Sequence, residues 1–435
     1  MKNLTLVKVI LICSGWISGL SLADIAKIQA SFETPPVFDK DGFDADDPAI
    51  WVHPDQRDAS LVIGTLKEGG MDVYNLNGEQ IQYIAPSFPS GVQSGEKLNP
   101  PRYNNVDIVY HFYRPQGMVD IAVVSDRGSD QIRIFAIDKN YKDASTPPLT
   151  EITAPNQPLI FSKDIGEVQL KKTAYGLATA RPFKKGPVFT FVSRNNSTEI
   201  AQLILYPTLN GLISYRKINT YLLPETFRLP NKSTWTPCTD EDGDKPHIEG
   251  MVFDQKSGHL FLAQEDVGIW KLDIGKHTGN PELVDKVRSY GIPYTRTWDD
   301  QEEEYICQLL EDQNPGYGGQ FLHADVEGLT IFQGNKEKSF LLASSQGNST
   351  FVIYSMDQFS EPKGIFRIYD PEHPDKPVEH CDGAMVTHQN LGGEFSEGLM
   401  VVQDGNDDQT NTEERTNFKF ISWKSIAEAL NLKDR

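Results

Sequence analysis

Apolar strands separated by polar corners recur along the whole chain. Each unit has a strand of β-branched and aromatic residues, a turn-forming centre and a second apolar strand, as in HLFLAQEDVGIWKLDI from His259. Such a pattern predicts a β-hairpin. Six of these units occur, and they begin at Ser60, Val119, Pro187, His259, Ser339 and Gly398.

A shorter apolar strand with a polar or small-residue start precedes each hairpin unit. These six segments are DDPAIWV at Asp46, NNVDIVY at Asn104, AYGLATA at Ala174, IEGMVFD at Ile248, VEGLTIF at Val326 and DGAMVTH at Asp382. Further strand-like stretches, such as QIQYIA at Gln80, lie between the units. Because the two sets alternate strictly and both number six, the pattern predicts an all-β fold, a six-bladed β-propeller. An irregular pair of β-sandwiches is the alternative.

The repeat spacing is widened by two insertions, near 226–245 and 295–319, which hold the acidic runs DEDGD and DDQEEE. The first run resembles the start of an EF-hand loop but lacks the glycine at the sixth position and the glutamate at the twelfth, so it is a solvated loop. No linker or shift in composition divides the chain, so residues 24–435 are expected to form a single propeller domain. Cys238 and Cys307 lie in the two insertions and are expected to form a disulfide, which leaves Cys381 as a buried thiol.

Residues 1–23 have the pattern of a cleaved signal peptide. Lys2 and Lys8 precede or flank a short apolar run, and Ser21-Leu22-Ala23 has small residues where signal peptidase cuts. The apolar run is well short of the roughly 20 residues that a membrane span needs. We therefore expect a secreted or periplasmic protein in an oxidising compartment.

The composition is that of an acidic globular protein. The formal net charge is −20, and it becomes −22 without residues 1–23, which hold two lysines and no acid. This charge disfavours nucleic acid and anionic membranes as partners. We expect a monomer that acts on a small molecule, and an anionic substrate would need local basic residues or bound cations.

Equivalent positions of the repeats should form rings around the propeller axis. The starts of the first strands and the corners after the second strands should lie on one face, which then carries many carboxylates. Crowded carboxylates either have raised pKa values or bind cations between them, and each acid could instead cap a turn. If cations bind, a ligand set of oxygens favours calcium over magnesium. Three corners also carry basic side chains suited to a phosphate: Lys67, Arg127 and Arg194.

Several of these segments resemble the motifs of the β-propeller phytases, the alkaline, calcium-dependent phytase family. The resemblance rests on D-D-P-A-I-W at Asp46, N-N-V-D at Asn104, D-V-E-G-L at Asp325, L-A-S-S-Q-G-N at Leu341 and V-Q-D-G at Val402. It extends in order from about residue 33 to about residue 427. It implies a phosphoric monoester hydrolase of the 3-phytase type, with several structural and catalytic calcium ions. The implied substrate is phytate (myo-inositol hexakisphosphate), preferentially as its calcium complex.

The resemblance also implies residue roles. It assigns the catalytic calcium ions to Glu249, Glu265, Asp325 and Glu327, and contacts with phosphate to Lys67, Arg127 and Tyr175. Further calcium ligands or their neighbours would be Glu33, Asp46, Asp47, Asn105 and Asp382. The expected reaction is in-line attack by a metal-activated water.

Two other functions fit a propeller with polar corners. One is a lactonase or esterase that polarises a carbonyl with calcium, although it would not need the basic corners. The other is a non-catalytic binding propeller, which would not need a ring of carboxylates.

Overall fold

The structure, a computed structural model, describes residues 25–38, 43–88, 99–142, 146–183, 186–239, 241–275, 280–300, 304–334, 339–359, 361–406 and 415–432. The predicted signal peptide lies outside these ranges. Within them, no helix combines the length and the apolar composition needed to cross a membrane.

Short strands come first along the described chain, and three antiparallel blades follow them. The first strands are β1 (Ala26–Gln29), β2 (Phe32–Glu33) and β3 (Val37–Phe38). The first blade contains β4 (Pro48–Trp51), β5 (Leu61–Thr65), β6 (Met71–Tyr74) and β7 (Gln80–Ile84). The second contains β8 (Tyr103–Arg114), β9 (Gly117–Asp126), β10 (Gln131–Ile137) and β11 (Leu149–Glu151). After helix α1 (Ile165–Val168), the third contains β12 (Ala174–Ala180), β13 (Val188–Arg194), β14 (Glu199–Pro207) and β15 (Ile213–Leu222).

Two small sheets flank the fourth blade. Strands β16 (Phe227–Arg228) and β17 (Thr234–Trp235) pair before it. The blade itself contains β18 (Ile248–Asp254), β19 (His259–Gln264), β20 (Gly268–Asp273) and β21 (Glu282–Lys286). The hairpin of β22 (Tyr294–Asp299) and β23 (Glu304–Leu309) follows it.

The last two blades incorporate strands from the beginning of the chain. The fifth contains β24 (Val326–Gln333), β25 (Ser339–Ser345), β26 (Thr350–Ser355) and β27 (Gly364–Tyr369), and β1 adds to β27 in parallel. The sixth contains β28 (Ala384–Thr387), β29 (Leu399–Asp404) and β30 (Arg415–Ser422), with β2 and β3 paired to β30. This pairing joins early and late strands of the chain, and it covers edges that would otherwise be open.

The six blades surround a central axis. The first strand of each blade is innermost, and the inner strands β4, β8, β12, β18, β24 and β28 contact one another in that cyclic order. The prediction of a six-bladed β-propeller is therefore confirmed. Strands such as β5 are buried on both faces because each blade packs between two others, which explains why the second strands read as continuous apolar runs.

The prediction about the cysteines is also confirmed. Cys238 and Cys307 form a disulfide, and Cys381 is a free, buried cysteine. Beyond the last blade, helix α2 (Trp423–Ala429) follows β30.

Candidate active site

The inner strands of four blades begin with a bulge that directs a polar side chain. The antiparallel register shifts at Asn104–Asn105 in β8, Tyr175–Gly176 in β12, Glu249–Gly250 in β18 and Glu327–Gly328 in β24. A bulge bends a strand and changes the direction of its side chains. Because these strands all begin at the same end of the channel, the bulges bring polar groups from separate blades together.

The glycines in these bulges permit the blades to approach closely. A Cβ atom on Gly250 would lie 1.6 Å from the carbonyl oxygen of Glu327, and one on Gly176 would lie 2.0 Å from that of Glu249. Any larger residue would push the neighbouring bulge away. The Glu-Gly pairs that the sequence repeats are therefore explained by packing as well as by chemistry.

Three glutamates from two blades form the centre of the site. Carboxylate oxygens of Glu249, Glu265 and Glu327 all lie within 4.8 Å of one another, and the three residues are buried. Burial, together with neighbouring carboxylates, raises the pKa of Glu249 and raises that of Glu327 well above its ordinary value. Three such groups cannot all be charged at neutral pH without a compensating cation.

His247 is a neighbour of this centre that the sequence did not single out. Its Nε2 lies 2.9 Å from a carboxylate oxygen of Glu265. Burial alone would lower the pKa of His247, but the charge and hydrogen bond of Glu265 raise it to about 9. Burial raises the pKa of Glu265 to about 7, even though His247 acts in the opposite direction. His247 lies directly before the strand that carries Glu249, and this position could have identified it as a site residue from the sequence.

A hydrogen-bonded chain joins Arg127 to the glutamate centre. The Tyr175 hydroxyl donates to Glu249 at 2.6 Å, and the guanidinium of Arg127 lies 4.6 Å from the centre of the Tyr175 ring. Nη1 of Arg127 also donates to Asn104 at 3.1 Å, and the amide of Asn104 donates to Glu249 at 2.5 Å. Arg127 is thus oriented beside the carboxylates by a ring and an amide that both contact the same glutamate.

Lys67 forms ion pairs with a second group of acids, which Gln346 links to the glutamate centre. Its ammonium lies 2.6 Å from Asp44 and 3.2 Å from Asp382. The amide of Gln346 bridges Glu327 at 2.9 Å and Asp382 at 2.7 Å. Burial alone would lower the pKa of Lys67, but the surrounding carboxylates raise it well above its ordinary value, so this lysine is charged.

Asp46 and Asp47 lie at the start of the first blade's inner strand. Asp46 is buried and Asp47 is half-buried, and desolvation raises the pKa of each well above its ordinary value. Asp47 accepts the backbone N–H of Val106 at 3.0 Å and a hydrogen bond from the Asn105 side chain. Glu249 adds to the raised pKa of Asp46, which places Asp46 within the electrostatic reach of the glutamate centre.

Buried oxygens without a hydrogen-bond donor support a cation here. Among the described residues, Asp46 Oδ2, Asp44 Oδ1 and Glu265 Oε1 are buried side-chain atoms with no hydrogen-bond partner. Oxygen ligands of this kind suit a hard divalent cation. The residues present therefore fit a bound metal ion, and Asp325, whose charge raises the pKa of Glu265 and Glu327, adds a further carboxylate beside them.

Two predicted residues have other partners. Glu33 lies on β2, where its carboxylate contacts the buried ammonium of Lys419 and the amide of Asn417. Arg194 forms ion pairs with Glu199 at 2.8 Å and Glu167 at 3.6 Å. Any phosphate bound by Arg194 would compete with those carboxylates.

Asp44 was also missed by the sequence reasoning. It lies two residues before the D-D-P-A-I-W motif, and only its contact with Lys67 reveals it. The remaining predicted residues lie around the glutamate centre, with Lys67 and Arg127 on its rim.

Fold and site together define a β-propeller with buried carboxylates and basic side chains at one end of its channel. The family model described as Phytase matches residues 4–230 and 312–435. A 3-phytase of Bacillus subtilis (strain 168) is 30% identical over 407 residues, which cover 93% of this chain and 85% of that protein. The chain belongs to the phytase family and is an enzyme of that family.

Solved structures of other propeller-like chains resemble it more weakly. The structure of U3-55K has a TM-score of 0.40 and 10% identity, and it aligns over 90% of this chain and 99% of its own. The RRP9 WD40 repeats have the same score and identity, over 91% of this chain and 99% of theirs. Similarity at this level says nothing about function.

Proposed function

We propose that the protein hydrolyses phytate, myo-inositol hexakisphosphate, and that the reaction depends on calcium. The observation that carries the proposal is the buried centre of Glu249, Glu265 and Glu327 next to Arg127 and Lys67, in a member of the phytase family. The Bacillus subtilis relative is a 3-phytase, which supports phytate as the substrate.

In this proposal the four acids Glu249, Glu265, Asp325 and Glu327 hold the catalytic calcium ions. Asp46, Asp47, Asn105 and Asp382 hold or surround further ions. Bound calcium supplies positive charge for the phosphate oxygens and makes an attacking water more acidic.

The chain's own residues bind and orient the phosphate. Arg127 offers a guanidinium that stacking on Tyr175 holds in one direction, so two of its N–H groups can face a phosphate. Lys67 adds a positive point charge, because the surrounding carboxylates raise its pKa well above the ordinary value. Both stabilise the charge on the phosphoryl group as it is transferred.

Neighbouring residues hold the carboxylates of the site in position through hydrogen bonds. Tyr175 stays protonated, because burial and Glu249 raise its pKa well above the ordinary value, so it donates to Glu249 and fixes that carboxylate. Gln346 fixes Glu327 and Asp382 relative to each other. His247 fixes one oxygen of Glu265.

Phosphate release from phytate tests the proposal. The purified protein should release inorganic phosphate with calcium present, lose this activity in excess chelator and regain it when calcium is restored. Glu327→Gln should lose it under all conditions. Unchanged release in excess chelator would overturn the calcium dependence, whereas a protein that hydrolyses glycerol 3-phosphate but not phytate would overturn the substrate.

We also propose that the mature chain is exported. The signal-peptide pattern of residues 1–23 and the Cys238–Cys307 disulfide both support an oxidising compartment. Protein secreted by the native cells should begin at Asp24 when its N-terminus is sequenced.

A further inference from the structure

A cavity of about 280 Å³ adjoins the glutamate centre on the side of the fourth blade. Glu265, Asp325 and His247 line it on the side of the centre. Its opposite side includes Trp235 and Tyr294, which lie outside the six blades. The cavity therefore extends the site beyond the carboxylates.

The opposite side is formed by two cross-linked segments, residues 235–239 with 241–246 and the strands β22 and β23, which we call the tethered wall. The disulfide between Cys238 and Cys307 joins the two segments and itself lines the cavity. Arg296 of the hairpin donates to the carbonyl of Thr239 at 2.8 Å and to Asp242 at 2.7 Å. One covalent and two polar ties thus fix the segments to each other.

The tethered wall is also attached to the third blade. Asp244 accepts a hydrogen bond from the ammonium of Lys172 at 2.9 Å and from the amide of Asn196 at 2.6 Å. Lys172 additionally donates to the carbonyl of Gly243 at 3.1 Å. Because its two segments are fixed to each other and to the third blade, the wall presents a preorganised surface. Preorganisation lowers the entropic cost of binding a ligand.

This surface suits a carbon ring better than a phosphate group. Trp235, Ile292, Tyr294 and Leu309 line part of it with aromatic and aliphatic groups, and the acidic Asp244 on the same side disfavours a phosphate group. Two basic side chains of the wall are already paired with acids, Lys245 with Glu225 at 2.6 Å and Arg296 with Asp242 at 2.7 Å. Phosphate groups are better served at the centre by Arg127 and Lys67, so the wall faces the remainder of the substrate.

The tethered wall lies in a part of the chain that the family model does not match. The model matches the chain up to residue 230 and again from residue 312, and the interval between them also contains the fourth blade with Glu249 and Glu265.

We propose that the tethered wall is a substrate subsite. It binds the ring of a phosphorylated polyol whose reacting phosphate lies at the glutamate centre, and so selects ring phosphates over small esters. This inference rests on the proposed function, because it assumes that the phosphate is bound at that centre.

Two ligands distinguish binding at the wall from binding at the glutamate centre. Inorganic phosphate should reach only the centre, whereas myo-inositol hexasulfate is a ring polyanion, not a phosphate ester, that should reach both. Binding of each would be measured by calorimetry with calcium present. Tyr294→Ala and the double variant Cys238→Ser/Cys307→Ser should bind the hexasulfate about tenfold more weakly, since loss of one well-packed aromatic contact has effects of this order. Their dissociation constants for inorganic phosphate should stay within about twofold of the wild-type value.

The matched control is Trp298→Ala. Trp298 lies on the same strand as Tyr294, but it is 47% exposed and is not among the residues that line the cavity. This variant should bind both ligands as the wild type does. Reducing the disulfide of the wild-type protein should reproduce the double variant.

Three results would overturn the subsite: unchanged hexasulfate binding in Tyr294→Ala, equal weakening of both ligands, or equal weakening by Trp298→Ala. The ratio of the dissociation constants for the hexasulfate and for inorganic phosphate can be measured without any catalytic turnover. A protein that fails to release phosphate from phytate but shows the predicted ratio would refute the proposed substrate and leave the subsite supported.

Discussion

The guanidinium of Arg127 lies over the ring of Tyr175, 4.6 Å from its centre, and the hydroxyl of the same tyrosine donates to Glu249. One residue therefore positions both the guanidinium of Arg127 and a carboxylate of the glutamate centre. The two contacts use different parts of the side chain, so substitution can separate them.

Tyr175→Phe should keep the ring beneath Arg127 and remove the hydrogen bond to Glu249. A hydrogen bond to a charged group contributes about 1.5–3 kcal/mol, so kcat/KM for phytate should fall about 10- to 150-fold. Tyr175→Leu should lose more, because Arg127 also loses its stacking partner. Steady-state kinetics on phytate would measure both, and equal rates for the two variants would contradict the role of the ring.

Lys67→Ala and Arg127→Ala should each impair turnover without unfolding the protein. Each removes a charge-assisted contact worth about 1.5–3 kcal/mol. Lys139→Ala is the control, since Lys139 is about half exposed and pairs with Asp55 outside the site. If all three variants kept near-normal kcat/KM, the basic side chains would serve charge balance only.

Calcium should stabilise the folded protein. Ions that bind the folded carboxylates and hardly the unfolded chain add about 2.7 kcal/mol at a hundredfold excess over Kd. Thermal unfolding should therefore shift to higher Tm with calcium and to lower Tm with a chelator. Glu249→Ala and Glu327→Ala should abolish activity yet keep most of the calcium-dependent shift, because Asp46, Asp47 and Asp382 remain. A melting curve that does not respond to calcium or chelator would contradict the metal assignment.

Gly250→Ala should disrupt the site through the backbone. Its Cβ would lie 1.6 Å from the carbonyl of Glu327, so the bulges that carry Glu249 and Glu327 would have to separate. Overpacking of this kind costs about 1–3 kcal/mol of unfolding free energy or more. Gly166→Ala, whose Cβ would meet only the Asp164 side chain at 3.1 Å, is the control and should unfold like the wild type in urea.

Asp370→Asn should lower stability in a pH-dependent manner. Burial alone would raise the pKa of Asp370, but hydrogen bonding and charge from Lys419 hold it below its ordinary value of 3.8. A depressed folded pKa contributes stability that is present above pH 3.8 and lost as the pH falls below it. The difference between wild type and Asp370→Asn in urea unfolding should thus be largest near pH 6 and shrink below pH 4. Asp375→Asn, at an exposed position nearby, should show no such trend.

The strand repeats and the blade count follow from local pattern. Alternating apolar strands and polar corners are visible in any stretch of about twenty residues, and their strict sixfold alternation predicts the propeller before any contact is known. The Glu-Gly pairs at Glu249 and Glu327 also occupy matching repeat positions, so their shared location at one end of the channel could be predicted from the sequence.

The partners of the charged groups were decided by the tertiary structure. Asn104 and Glu249 are 145 residues apart in sequence, and only the bulges in two separate blades bring them within 2.5 Å. Arg194 occupies a corner equivalent to those of Lys67 and Arg127, yet it forms an ion pair with Glu199. A sequence repeat predicts where the backbone lies, but it does not predict the direction of a long side chain. Glu33, which the family resemblance assigned to calcium, forms an ion pair with Lys419. The two residues lie near opposite ends of the chain, and the repeat pattern does not reveal that they are in contact. Periodicity therefore determined the architecture, whereas the electrostatic environment of each ionisable group depended on which neighbours the closed ring of blades brought into contact.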